Sequence, residues 1–139
     1  MKASDIVQLM NQWAKPYLID EWDNTGFQLG DLEKDVNKII VALDLDRKVL
    51  EEAIKEKAEM IITHHPLIFK PLKAIRKQKY KESLIIDLIK EDIVVYNAHT
   101  NLDLATNGVN DVLAEVLGLK NAQPVFCPKF QSPPPWGPD

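Results

Sequence analysis

The sequence is sparing with the residues that most often carry chemistry. Its single cysteine, Cys127, cannot form an intramolecular disulfide, which fits a reducing compartment. As a nucleophile Cys127 has little in its favour, because it lies in an irregular, proline-rich stretch. There is no Gly-x-Ser-x-Gly elbow, which counts against a serine hydrolase of that design. Neither a Gly-x-Gly-x-x-Gly nor a Walker loop occurs, so those phosphate cradles are absent. Basic charge is not in excess: 17 Lys and Arg stand against 21 Asp and Glu, for a net charge of −4. A direct nucleic-acid binder usually shows a basic patch or stripe, so no nucleic-acid partner is expected. No apolar run approaches the roughly 20 residues that span a bilayer. "MKASDIVQLMNQW" puts acidic and amide residues where a signal peptide needs an apolar core. The expectation is a soluble cytoplasmic protein with no membrane association.

What is present reads as one domain of ordinary globular composition, with 139 residues that are 45% hydrophobic and 27% charged. "SDIVQLMNQWAKP" places Ile6, Val7, Met10 and Trp13 at helical spacing, with Ser4 as N-cap and Pro16 as a stop. "EWDNTGFQLGD" reads as a turn segment around Asn24, Gly26 and Gly30. "KIIVALDLD", "EMIITHH" and "IVVYNAH" are short apolar runs that read as buried strands. "DRKVLEEAIKEKA", "YKESLIIDLIKED" and "GVNDVLAEVLGL" are amphipathic helices. The last should turn Val109, Val112, Leu113, Val116 and Leu117 inward, with Asn107 and Asn110 as caps and Gly118 as its stop. Lys70 to Lys79 reads as an irregular basic connection, either a solvated face or an attractor of phosphate. Alternating strands and helices define an α/β fold: a mostly parallel sheet flanked by helices over residues 1–125. Residues 126–139 are expected to be an irregular Pro-rich tail, poorly ordered from about Ser132.

The three histidines are not scattered. Parallel strands end on one edge of their sheet, and ligands bind outside those carboxyl ends. Asp44 and Asp46 follow the first strand, His64 and His65 the second, and His99 and Asp103 the third. Imidazole and carboxylate together suit zinc, manganese, iron, cobalt or nickel. Adjacent histidines on a regular strand point to opposite sides. Either the strand end at Pro66 reorients them, or they serve two neighbouring ions of the kind held about 3.5–4 Å apart. The bland alternative is a structural His–His pair at a capped strand end. Asp23 and Asn24 either line the site or serve only as turn and cap. Trp13 and Trp22 read as packing residues rather than stacking platforms.

Four segments, "EWDNTGFQLG", "MIITHHPLIFKPLK", "NAHTNLD" and "GVNDVLAEVLGL", together resemble the Nif-three-like family, widely labelled GTP cyclohydrolase 1 type 2 homologues. The resemblance runs over almost all of residues 1–119. It implies one lobe of a fold whose members have two α/β lobes, a dinuclear metal centre in the cleft and a ring-like hexameric assembly. On that likeness His64 and His65 are each a ligand of a different ion, and Asp103 is a further ligand. His99 then stands beside the metals as a proton carrier or supporting group. The family completes its centre with a histidine and a glutamate near the chain end. No histidine follows His99 here, so the chain resembles the N-terminal half, with the second half missing. A centre of His64, His65 and Asp103 alone would bind metal weakly, hold one ion, or be completed by a neighbouring chain or water. The implied function is metal-dependent hydrolysis of a nucleotide or phosphoester-like small molecule by a homo-oligomer. The rival is a non-catalytic metal-binding or protein-interaction module, for instance a partner in transcription. A third reading is a structural remnant that binds no metal.

Overall fold

The computed structural model describes residues 1–123; Cys127 and the proline-rich tail lie outside them. Helix α1 (Ala3–Trp13) leads through a 3-10 turn (Pro16–Leu18) into strand β1 (Gly26–Leu29). Then come β2 (Ile39–Ala42), α2 (Arg47–Glu56), β3 (Met60–Thr63), α3 (Tyr80–Lys90) and β4 (Val94–Asn97). Two short helices, α4 (Thr100–Leu104) and α5 (Val109–Val116), follow. No described helix is long and apolar enough to cross a membrane.

The sheet runs β1-β4-β3-β2. Its β2–β3 and β3–β4 pairings are parallel, as expected, with Ile61 opposite both Ile40 and Val95. The outer pairing departs from expectation. "GFQL", read as part of a turn, is an antiparallel edge strand against β4, with Gly26 opposite Asn97. Four residues between turn-forming neighbours are too few to show period-2 alternation.

Pleating sends successive side chains to opposite faces. Ile61 and Val95 therefore meet Leu50 and Ala53 of α2 and Leu84, Ile85 and Leu88 of α3. Met60, Val94 and Tyr96 turn to the other face, against Ala3 and Ile6 of α1. Strand β4 is central, and all four of its residues are buried. Its run "VVYN" shows no alternation of apolar and polar residues because both faces are covered.

Two helix boundaries differ from the sequence reading. The N-cap of α1 is Lys2, not Ser4. The amides of Ala3 and Ser4 donate to the carbonyls of Lys34 and Leu32, both at 2.9 Å. Those carbonyls satisfy the helix's free N–H groups, so no hydroxyl cap is needed. The N-cap of α5 is Gly108. Asn107 instead donates its amide to Asp111 Oδ2 (2.7 Å), and Asn110 Nδ2 donates to the Asp103 carbonyl (2.9 Å). The expected inward face of α5 is also corrected. Val112, Leu113, Val116 and Leu117 are 49%, 52%, 77% and 63% exposed. The periodicity is helical, but among the described residues no element lies over that face. Together with Trp13 and Leu102 it forms an open apolar groove of about 370 Å³.

Candidate metal centre

The parallel register carries the chemistry to one edge. Thr63 and Asn97 are partners at the carboxyl ends of β3 and β4. The residues just beyond them are His64 and His65 on one side and His99 on the other. The backbone holds this corner firmly. His64 and His65 donate their amides to the carbonyls of Ala42 (3.3 Å) and Leu43 (3.0 Å), continuing the β2–β3 pairing past the strand end. Thr63 Oγ1 donates to the His65 carbonyl at 2.8 Å and draws the chain into a bend. The two imidazoles therefore do not splay as they would on a regular strand. Their centroids are 4.9 Å apart, and those of His64 and His65 lie 5.3 and 5.6 Å from that of His99.

Each ring uses the same nitrogen for support. His64 Nδ1 donates to the Ala98 carbonyl at 2.8 Å. That oxygen can only accept, so the Nδ1 of His64 carries the proton. His65 Nδ1 donates to Asp44 Oδ1 at 2.8 Å, and His99 Nδ1 donates to Asp23 Oδ1 at 2.9 Å. In a neutral ring held this way the lone pair lies on Nε2. One ring nitrogen from each histidine lies within 4.8 Å of those of the other two. Asp103 adds an oxygen: its Oδ1 is 3.5 Å from His64 Nε2. A metal-binding imidazole usually gives its other N–H to a carbonyl or carboxylate, which fixes the tautomer and raises the basicity of the free nitrogen. All three histidines here meet that condition. The donor set fits a borderline divalent cation, and three carboxylates around the imidazoles give the pocket the sign that attracts one.

Asp23 is the most constrained of these acids. Its side chain is fully buried and accepts three hydrogen bonds: from His99 Nδ1, from Thr100 Oγ1 (2.7 Å) and from the Thr100 amide (3.2 Å). Burial alone would raise its pKa. The hydrogen bonds from His99 and Thr100 outweigh that and hold the carboxyl below its ordinary value. Of the two roles left open for Asp23, the structure favours lining the site. Asn24 ties loops together instead, its Nδ2 donating to the Ile68 carbonyl. Asp46, a neighbour of Asp44 in sequence, is the N-cap of α2 and accepts from the Val49 amide at 2.9 Å. The short helix α4, which was not anticipated, has His99 as its N-cap and carries Thr100 and Asp103. Five residues are too few for a helical period to register.

Three Nδ1-supported imidazoles that could hold a metal ion thus stand at the carboxyl edge of the helix-covered sheet of an α/β lobe. The family profile described as Duf34/NIF3 (NGG1p interacting factor 3) matches residues 1–128, and the chain belongs to that family. A curated relative from Methanocaldococcus jannaschii, named GTP cyclohydrolase 1 type 2 homolog, is 41% identical over 127 residues. The alignment covers 91% of this chain and 51% of that one. One of the same name from Halalkalibacterium halodurans is 42% identical over 118 residues, covering 85% of this chain and 32% of its own length. Among solved structures, a Bacillus cereus protein related to NIF3 superposes with a TM-score of 0.84 at 46% identity. It matches 87% of this chain and 34% of that one. Reduced HcgD from Methanocaldococcus jannaschii gives 0.83 at 38% identity, covering 91% and 50%. The chain thus spans about a third to a half of the relatives it matches, the extent expected of one lobe.

Proposed function

We propose that this lobe binds a divalent metal ion through His64, His65 and Asp103, and that the site serves hydrolysis of a small molecule. The observation that carries the proposal is the uniform Nδ1 support of three imidazoles that each bring a ring nitrogen within 4.8 Å of the other two. A bound ion would supply Lewis acidity and a water molecule acidified to near neutrality. The chain's own groups do the rest. His64 and His65 present fixed nitrogens, and Asp103 presents a carboxylate beside the first of them. His99 is the proton-handling group. Its Nδ1–H rests on the buried Asp23 carboxylate, so Nε2 is free to accept a proton, and the resulting imidazolium is stabilised by that carboxylate. The substrate is a nucleotide or phosphoester-like small molecule, the class suggested by the names of the relatives. The chain works as a homo-oligomer, a reading supported by the bare apolar face of α5.

The test is metal content per chain by elemental mass spectrometry on untagged protein, beside His64→Ala and Asp103→Ala variants, followed by a phosphoester and nucleotide turnover screen. One or two ions in the parent and fewer in the variants support the site. Unchanged metal content in both variants overturns it. Metal without turnover would leave a metal-binding module.

A further inference from the structure

Two large aromatic side chains stand beside the histidines without serving the core. Trp22, expected to be a packing residue, is 61% exposed, and Phe69 is 38% exposed. They come from different loops, one after the 3-10 turn and one after the histidine pair. Yet they meet edge to face, with centroids 6.0 Å apart and ring planes at 72°. Both also meet His99 edge-on, at 6.2 Å for Trp22 and 6.4 Å for Phe69. His99 is thus flanked by an aromatic corner that opens to solvent.

The corner is built rather than incidental. Asn24, two residues after Trp22, donates its side-chain amide to the carbonyl of Ile68, the residue before Phe69. Gln28 closes the clasp from β1. Its Nε2 donates to the Asn24 carbonyl (2.9 Å), and its Oε1 accepts from the Ile68 amide (2.8 Å). Between Trp22 and Asn24, Asp23 is locked by His99 and Thr100. Five hydrogen bonds therefore fix the chain that carries the two exposed rings beside the proton-handling histidine. Exposed apolar surface of this kind is unfavourable in water. Exposed ring faces held in place are what a flat ligand needs for stacking, because little ordering entropy remains to be lost on binding.

We propose that the Trp22–Phe69 corner is a stacking subsite for a planar aromatic or heteroaromatic ring, which it holds beside His99. The inference rests on the hydrolytic reading for its biological meaning, but the binding itself needs no metal. It gives the substrate of that site a chemical class: a ring-bearing molecule rather than an open-chain phosphoester.

The experiment is calorimetric titration of the full chain, with and without loaded zinc. The probes are adenosine, guanosine and flavin monophosphates, with ribose 5-phosphate as the ring-free control. At least one ring-bearing probe should bind the parent more tightly than the control. Base–aromatic stacking is worth about 1–3 kcal/mol, so Trp22→Ala should weaken that probe by about five- to 150-fold. Trp22→Phe should retain most of the affinity, and ribose 5-phosphate should be indifferent to both substitutions. Zinc content should be equal in parent and variants. Loss of metal binding in the parent would refute the hydrolytic reading alone, since the zinc-free titration still reads stacking. Ring-bearing probes that bind no better than ribose 5-phosphate, or no worse to Trp22→Ala than to the parent, overturn the subsite.

Discussion

Replacing Asp23 by Asn tests the internal logic of the site without any substrate. The exchange is nearly isosteric, so the loop keeps its shape. The carboxylate accepts from His99 Nδ1 on one oxygen and from both Thr100 donors on the other. An amide has one accepting oxygen. If that oxygen stays on Thr100, the new NH2 faces His99 Nδ1, and His99 must either lose the bond or move its proton to Nε2. If the amide turns the other way, the Thr100 amide and hydroxyl meet a donor. A hydrogen bond to a charged group is worth about 1.5–3 kcal/mol, and Asp23 is fully buried, so the variant should lose about that much stability at pH 7. The pH dependence has a definite sign. The carboxyl is held below its ordinary value of 3.8 in the fold. Its contribution is therefore complete above about pH 4–5 and is lost as pH falls through the folded value. Asp23→Asn should accordingly be less stable at pH 7, and the gap to the parent should narrow below pH 4. The assays are urea unfolding across pH and long-range nitrogen–proton NMR of the imidazoles. An unchanged unfolding midpoint at pH 7, with His99 still protonated on Nδ1, would refute the reasoning.

Three further outcomes are expected. Gly30 has a φ of +107°, and a Cβ there would sit 2.9 Å from the backbone Cα of Val94 in the central strand. Gly30→Ala should therefore destabilise by about 1–3 kcal/mol in urea unfolding, through strain and overpacking together. Tyr96 is buried and donates its hydroxyl to Asn11 Oδ1 at 3.0 Å, joining the sheet to α1; Tyr96→Phe should lose about 0.5–1.5 kcal/mol by the same assay. Leu113 lies on the bare face of α5 and is 52% exposed, so Leu113→Asp should preserve the fold while lowering the sedimentation-derived mass from oligomer toward monomer. A monomeric parent would refute the role given to that face.

Much of the sheet was legible because its three parallel strands are short, mostly apolar runs, the first two each followed by a helix of clear period. The same logic placed His64, His65, His99 and Asp103 near one edge before any geometry was known. β1 and α4 were missed for want of length: four or five residues do not establish a period. Trp22 was read as packing because a sequence shows that a residue is apolar, not whether anything covers it. The α5 face failed in the same way, since its stripe is real but nothing described lies over it. The partners of the histidines were legible only in part. Asp44 and Asp46 have the same residue type and near-identical positions, and only the fold sends one to His65 and the other to a helix cap. Asp23 lies 76 residues from His99, a distance that no local pattern spans.

The central claim is that His64 and His65, each supported at Nδ1, present their Nε2 atoms to a metal. With only three histidines in the chain, nitrogen-15 NMR of untagged protein during a zinc titration reads it directly. Before zinc, all three rings should be the Nδ1–H tautomer. On adding zinc, the Nε2 resonances of His64 and His65 should shift together and saturate at one or two equivalents. Nε2–H tautomers at His64 and His65, or nitrogens that ignore zinc, would contradict the account.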